Sequence, residues 1–80
     1  MTISIEISYY PLTSDYSTAV TAFIDALAAY PDLDISPGPM SSIVTGDARA
    51  IFGLLETEVV RAFDAHPAVF TVKIANACPV

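Results

Sequence analysis

The sequence predicts an α+β domain in which a four-stranded antiparallel sheet carries two helices on one face. Three observations lead to this fold: strand-like alternation near both ends of the chain, two helical stripes of apolar residues, and turn residues that separate the elements in the order βαββαβ. This order is typical of a ferredoxin-like sandwich. Right-handed crossovers place both helices on the same face, and the usual topology gives the strand order 4-1-3-2. We expect residues 1–80 to form this single domain.

The first strand is predicted at residues 2–10, because apolar and polar side chains alternate there. One face carries Ile3, Ile5, Ile7 and Tyr9, and the other carries Ser4, Glu6, Ser8 and Tyr10. Pro11 ends the strand, since proline cannot donate a hydrogen bond to the ladder. The isoleucine face is therefore expected to lie under the helices, and the other face to stay uncovered.

The first helix is predicted from an N-cap at Thr13-Ser14-Asp15 to about Tyr30, where Pro31 disfavours further helical backbone. Its apolar stripe contains Val20, Phe23, Ile24 and Leu27.

Two short strands follow, at residues 33–36 and 41–45, separated by the bend Pro37-Gly38-Pro39. The later strand places Ser41, Ile43 and Thr45 against Ser42 and Val44, so neither of its faces is clearly apolar. A slip of one residue would exchange the two faces, and the pattern leaves its orientation open.

The second helix is predicted from an N-cap at Asp47 to the stop at His66-Pro67. Its predicted apolar stripe consists of Ala48, Ile51, Phe52, Leu55, Val59, Ala62 and Phe63. In the last strand, Phe70, Val72 and Ile74 alternate with Thr71, Lys73 and Ala75, and the first set is expected on the covered side.

Composition narrows the function classes. Nine acidic residues against three basic ones give a formal charge of −6, which argues against nucleic acid and anionic membranes as partners. The hydrophobic content of 54% is high for a chain of 80 residues, so we expect a homo-oligomer that buries further apolar surface. Residues 1–6 have no basic, signal-like character, and Cys78 is the single cysteine, so we expect a cytoplasmic location.

The sequence shows no set of residues that is typical of a catalytic site. His66 is the single histidine and has no second histidine or cysteine at metal-ligand spacing. Cys78 has no histidine nearby in the sequence to activate it, and Gly38 and Gly46 are interpreted as turn residues rather than a phosphate loop. We therefore expect no enzyme activity, no metal and no bound cofactor.

Three segments carry a resemblance to a known family: SYYPL (residues 8–12), GPMSSIVTGD (residues 38–47) and IANACP (residues 74–79). In this order they resemble one repeat of the YkoF-type thiamine/hydroxymethylpyrimidine-binding domain. The resemblance implies non-catalytic binding of thiamine or its hydroxymethylpyrimidine moiety. Since YkoF carries two such repeats and this chain carries one, it also implies that a homodimer rebuilds the tandem arrangement.

The expected ligand-binding residues lie on the uncovered sheet face and the third strand: Glu6, Ser8, Tyr10, Ser41 and Ser42. Tyr10 offers an aromatic wall to a flat ring, Glu6 accepts from an amine, and a serine hydroxyl bonds a ring nitrogen. The alternatives are ordinary structural roles. Glu6 would pair with Lys73 across neighbouring strands, and Tyr10 would cover a sheet edge. Tyr9 is expected to be a core residue rather than a ligand contact.

Two other function classes remain. An ACT-like regulatory or assembly domain would use the same sheet for association or for sensing amino acids, without binding thiamine. A small ferredoxin-like enzyme, such as a heme-free monooxygenase or an isomerase, would need a histidine or a charged cluster in its cleft, which the sequence does not show.

Overall fold

The computed structural model describes residues 1–76 and has the predicted order of elements. The elements are β1 (Thr2–Pro11), α1 (Tyr16–Leu27), β2 (Asp34–Pro37), β3 (Ser42–Asp47), α2 (Ala48–Ala65) and β4 (Ala68–Ala75). The strands form one antiparallel sheet in the order β2-β3-β1-β4. The predicted ferredoxin-like fold and its strand order 4-1-3-2 are therefore confirmed. Ala77, Cys78 and Pro79, which belong to the third segment of the family resemblance, lie outside the described residues.

The hydrophobic core lies between the sheet and the two helices. Ile3, Ile5 and Ile7 of the central strand β1 are at most 5% exposed, as the alternation predicts. They pack with Phe23 and Leu27 of α1 and with the remaining core residues, which are Leu33, Val44, Ile51 and Leu54. The covered face of the sheet is thus apolar along β1.

The buried stripe of α2 differs from the prediction. Its buried residues are Ile51, Leu54 and Glu58, and Leu54 was not in the predicted stripe. Phe52 and Phe63, which were in it, are 50% and 52% exposed. Apolar residues occupy more than one side of this helix, so the periodicity alone does not show which side faces the sheet. Ile51 is buried and Ala48 and Leu55 pack against the core, as predicted. The prediction is wrong for Phe52 and Phe63, because the helix is rotated toward the side that carries Leu54.

The predicted burial of Ile74 is also wrong. Ile74 pairs with Ile5 and shares its face, yet it is 54% exposed whereas Ile5 is 1% exposed. β4 is an outer strand of the sheet, so Ile74 has a neighbouring strand on one side only. Phe70 and Val72, earlier in the same strand, are half-buried against the core as expected.

The helix ends follow the predicted caps in part. The Asp47 side chain accepts a hydrogen bond from the backbone N–H of Arg49 at 3.1 Å, which caps α2. Asp15 precedes α1, but its side chain makes no capping bond. α1 ends at Leu27 rather than near Tyr30, and the intervening backbone forms turns that bond carbonyls three residues back.

Gly46 has a packing role rather than the turn role that the sequence suggested. It lies inside β3 and pairs with Ile3, so any side chain on it would project into the core. A Cβ at this position would come within 2.5 Å of Cδ2 of Leu33, which is buried. A side chain at this position would therefore force the buried Leu33 side chain to move.

Glu58 is a buried carboxylate, 4% exposed, on the core side of α2. The Tyr30 hydroxyl donates to its Oε2 at 2.7 Å, and Nη1 of Arg61 donates to its Oε1 at 3.0 Å. Both oxygens are thus satisfied, which is the condition for burying a charge at an acceptable cost. Because Tyr30 follows α1, this contact also joins the end of one helix to the middle of the other.

The pKa of the Tyr30 phenol is raised above its ordinary value. Burial is the main cause, and the hydrogen bond to Glu58 and the negative charge of Glu58 raise it further. Burial also raises the pKa of Tyr9. In both cases the folded state favours the protonated phenol.

We predict that Gly46→Ala lowers the free energy of unfolding by roughly 1–3 kcal/mol, because the added methyl overpacks the core against Leu33. Gly53→Ala is the matched control: nothing lies within 4 Å of a Cβ built there, and the residue is exposed in α2. That change should stabilise the protein by roughly 0.5–1 kcal/mol. Urea unfolding of the parent and both variants measures the difference. Equal stability of the two variants would contradict the packing role of Gly46.

We predict that Tyr30→Phe lowers the free energy of unfolding by about 1–3 kcal/mol at neutral pH, because it removes a hydrogen bond from a buried carboxylate. A raised folded-state pKa stabilises the fold below the ordinary phenol value, and that contribution is lost as pH rises through the raised value. The parent should therefore lose stability as pH rises above about 10, and Tyr30→Phe should lose less. Urea unfolding measured at a series of pH values tests both parts. Tyr16→Phe, at an exposed position, serves as the control and should change stability by less than about 0.5 kcal/mol.

Candidate functional site

The sheet has one face that the helices leave uncovered, and we call it the open face. The strand register shows which residues share this face. They are Ser4, Glu6, Ser8 and Tyr10 of β1, Asp34 and Ser36 of β2, Ile43 and Thr45 of β3, and Val69, Thr71, Lys73 and Ala75 of β4. Hydroxyls, carboxylates, an ammonium group and a phenol are thus mixed with apolar side chains.

Glu6 is the polar centre of the open face. The Ser41 hydroxyl donates to its Oε2 at 3.1 Å, and Nζ of Lys73 lies 3.7 Å from its Oε1. The Glu6 side chain is 43% exposed and that of Lys73 is 80% exposed, so this ion pair is worth at most about 1 kcal/mol. A ligand donor can therefore compete with Lys73 for the carboxylate at low cost.

A recess of about 240 Å³ lies beside Glu6. Its walls include Ser4, Glu6, Ile43 and Lys73, so a carboxylate and an ammonium group stand next to an aliphatic side chain. The Ser4 hydroxyl is already hydrogen-bonded to the Thr45 hydroxyl at 2.9 Å. This volume is just below the usual range of ligand pockets, about 300–1,000 Å³, and suits a single small ring.

The five residues predicted for ligand binding do not all meet. Glu6 and Ser41 are in contact, and Ser8 is the next open-face residue along β1. Tyr10 is on the same face and 50% exposed, but it is four residues from Glu6, which corresponds to roughly 13 Å along a strand. Ser42 pairs with Ile7, lies on the covered face and is only 3% exposed.

The structure thus fixes the orientation of the third strand that the sequence left open. Val44 pairs with Ile5 and is fully buried, so its alternation partners Ile43 and Thr45 point to the open face. Ser41 precedes β3 and reaches the same side through its bond to Glu6. Among the serines of this segment, Ser41 is the one on the side of the candidate site, and Ser42 is separated from it by the sheet.

Tyr9 and His66 form a structural pair on the other side of the sheet. The Tyr9 hydroxyl and Nε2 of His66 lie 2.7 Å apart, and Nδ1 of His66 lies 2.9 Å from the carbonyl oxygen of Pro67. Since a carbonyl only accepts, Nδ1 carries the proton and Nε2 accepts from the phenol. The Tyr9 ring stacks on Phe70 with centroids 4.6 Å apart, as expected of a core residue. Within residues 1–76 no cluster of three potential metal ligands occurs.

A second concavity, of about 520 Å³, lies between α1 and α2 and contains none of the five predicted residues. We call it the helix groove. Alanines form much of its wall, and they are Ala19, Ala22, Ala26, Ala62 and Ala65. Their spacing is visible in the sequence as a small-residue stripe on each helix, a signal from which no groove was predicted. In the described part of the chain, neither helix is long and apolar enough to cross a membrane.

No protein-family model and no curated protein matches the chain. Several solved structures nevertheless share its fold. A Thermotoga maritima protein with a proposed role in thiamine biosynthesis or salvage superimposes with a TM-score of 0.84 at 14% identity, covering 96% of this chain and 85% of that one.

Two further structures have comparable similarity. A hypothetical protein of Methanocaldococcus jannascii gives a TM-score of 0.82 at 21% identity over 96% of this chain and 81% of its own. The domain of unknown function DUF77 from Bacillus cereus gives a TM-score of 0.80 at 16% identity, covering 96% of this chain and 77% of that one. At such identities the likeness shows the fold alone.

Proposed function

We propose that this chain binds thiamine or its hydroxymethylpyrimidine moiety at the open face, without turnover, in the cytoplasm. The observation that carries the proposal is the recess beside Glu6, where a half-exposed carboxylate stands next to an aliphatic wall. An aminopyrimidine presents a flat ring, an amine donor and ring nitrogens that accept. The amine would donate to Glu6, and the ring would lie against Ile43.

The size and charge of the site support this class of ligand. A recess of about 240 Å³ suits one ring rather than two, so the pyrimidine would occupy it and the thiazolium of thiamine would extend outside. The formal charge of −6 favours a cationic ring near the surface. The Thermotoga maritima protein with the proposed thiamine role has the same fold, which adds support without assigning any residue.

We further propose that the ligand is enclosed by a second copy of the chain stacked on the open face. Tyr10 and Glu6 are too far apart in one protomer to contact the same ring, but Ser8 lies midway between them on β1. A two-fold axis passing near Ser8 would place the partner's Tyr10 opposite Glu6, across the roughly 10 Å that separates stacked sheets. A planar ring fits between a carboxylate and an aromatic side chain arranged in this way.

Exposed apolar residues on the same face support the stacking. Tyr10 and Val69 are each 50% exposed, and Ile43 is 39% exposed. Such residues along one sheet face are costly to leave in water and are typical of an association surface. The exposed apolar residues of the open face therefore favour a homodimer in which each protomer contributes to both sites.

We predict that Tyr10→Ala weakens the binding of hydroxymethylpyrimidine by roughly 1–2 kcal/mol, because the ring loses an aromatic stacking partner. Glu6→Gln should weaken it as well, since the amide no longer offers a charged acceptor. Isothermal titration calorimetry of the parent and the variants measures both effects. Tyr16→Ala, on the exposed surface of α1, is the matched control and should bind like the parent. If the parent binds neither hydroxymethylpyrimidine nor thiamine, the proposed function is wrong.

We predict that the protein sediments as a dimer, with twice the 8.5 kDa mass of one chain. Ser8→Arg should shift it to the monomer, because a charged side chain at the centre of the stacked faces cannot be buried without a partner. Ser17→Arg places the same side chain on an exposed position of α1 and should leave the dimer intact. Sedimentation velocity at tens of micromolar chain distinguishes these outcomes. A parent that is monomeric there would contradict the stacking.

A further inference from the structure

The two outer edges of the sheet are protected to different degrees. One edge is β2, which has only four residues and ends at Pro37, a residue without a backbone N–H. The other edge is β4, which has eight residues with a single charged one, Lys73, among them. Short strands, prolines and charges are the usual means of preventing edge pairing, and β4 has few of them. Within residues 1–76, no further strand pairs with the outer edge of β4, so this edge can accept another strand.

The side of α2 that faces β4 is apolar and partly exposed, and we call it the α2 flank. It consists of four residues at helical spacing: Phe52, Leu55, Val59 and Phe63. The Phe63 ring meets the Phe70 ring of β4 with centroids 5.6 Å apart, which shows that this flank is on the β4 side. Phe52 and Phe63 are nevertheless 50% and 52% exposed. Two aromatic rings left half in water beside an unpaired strand edge are typical of an association surface.

Two charges of α2 are placed against the dipole of their own helix. Arg49 is the second residue, near the positive N-terminal end, and Asp64 is in the last turn, near the negative C-terminal end. Neither side chain forms an ion pair within residues 1–76. A second α2 packed antiparallel would bring Arg49 of one copy close to Asp64 of the other and compensate both ends. A second copy of the chain therefore offers a charge complementarity that one chain lacks.

β4 and the α2 flank have their midpoints at a similar height along the sheet. α2 and β4 run in opposite directions, since only His66 and Pro67 separate them. The midpoint between Phe52 and Phe63 lies about 11 Å back from the end of α2, at about 1.5 Å per helical residue. Val72 lies about 13 Å beyond the start of β4, at about 3.3 Å per strand residue. One two-fold axis near Val72 can therefore relate both elements to their copies.

We propose that the outer edge of β4 and the α2 flank form an interface with a second copy of the chain. The two β4 strands pair antiparallel about a two-fold axis at Val72, which places Ile74 opposite Phe70 of the partner subunit. The four-stranded sheet then continues into that of the partner, and the two α2 flanks cover each other. This interface is separate from the open face and depends neither on the ligand nor on the stacking proposed there.

The interface is expected to be weaker than the stacked open faces. It consists of one strand edge and one helix flank per copy, whereas the open face spans all four strands. Small interfaces, below roughly 1,200 Å² in total, are typically transient. Association through β4 should therefore follow at chain concentrations of about 0.1–1 mM, above those at which the stacked dimer forms.

Sedimentation velocity over this concentration range tests the interface. The parent should double its mass, and Ser8→Arg, in which the stacking is blocked, should do the same. Phe52→Glu should abolish the doubling, because it places an unpaired charge in the α2 flank. Val60→Glu is the matched control: Val60 is 51% exposed on α2 but lies outside the flank, so this variant should behave like the parent. A parent that does not double its mass, or an equal effect of the two glutamate variants, would overturn the proposal.

Charge reversal tests the orientation of the two helices. Arg49→Glu should weaken the association about tenfold, because the contact with Asp64 of the partner subunit becomes repulsive. The double variant Arg49→Glu, Asp64→Arg should restore it. Both changes suit the helix dipole, so association lost in the single variant does not arise from a less stable helix. If the double variant associates no better than Arg49→Glu, the antiparallel pairing is wrong.

Disulfide cross-linking locates the two-fold axis. In a Cys78→Ser background, Val72→Cys should form a disulfide-linked dimer on mild oxidation, because residues at the axis face each other with Cα atoms about 4.5–5.5 Å apart. Val69→Cys is the control: this residue is more exposed, but at the proposed register its two copies lie roughly 20 Å apart. Cross-linking of Val69→Cys equal to that of Val72→Cys would contradict the pairing of the β4 strands.

Discussion

The central strand β1 imposes the constraint on which the rest of the structure depends. Its isoleucines are buried under the helices, while hydrogen bonds to β3 on one side and β4 on the other hold it in register. A strand with side-chain period two cannot shift by one residue without exposing all three isoleucines. The burial of Ile3, Ile5 and Ile7 therefore directs Glu6, Ser8 and Tyr10 to the open face, and the same register sorts the residues of the neighbouring strands.

The fold was predictable from the sequence because each element carries a strong local signal. β1 alternates without interruption, and a proline or an N-cap residue marks most of the element boundaries. Those local signals are independent of one another and agree on one topology, which is the property of a sequence that specifies its fold well. The strand order then followed from general rules of chain connection.

Details that depend on tertiary packing were not predictable. The orientation of Ser41 and Ser42 is decided by pairing with β1, because β3 carries an apolar residue on each face. The side of α2 that is buried depends on how the helix lies on the sheet, and the sequence pattern pointed to the flank with Phe52 and Phe63. The helix groove exists only once two alanine stripes from distant segments face each other. No local periodicity contains that information.

The aromatic cluster around Tyr9 is an intrinsic spectroscopic probe of the folded protein. The chain contains no tryptophan, so the near-ultraviolet signal comes from its tyrosines and phenylalanines. Among these, Tyr9 packs against other rings: its ring is nearly parallel to that of Phe70, at 4°, and its centroid is 5.0 Å from that of Phe23. Rigid, asymmetric surroundings give an aromatic chromophore its circular dichroism. Tyr9 and Phe23 both line the helix groove. A change in packing between the helices would therefore alter the near-ultraviolet circular dichroism, and no attached label is needed to detect it.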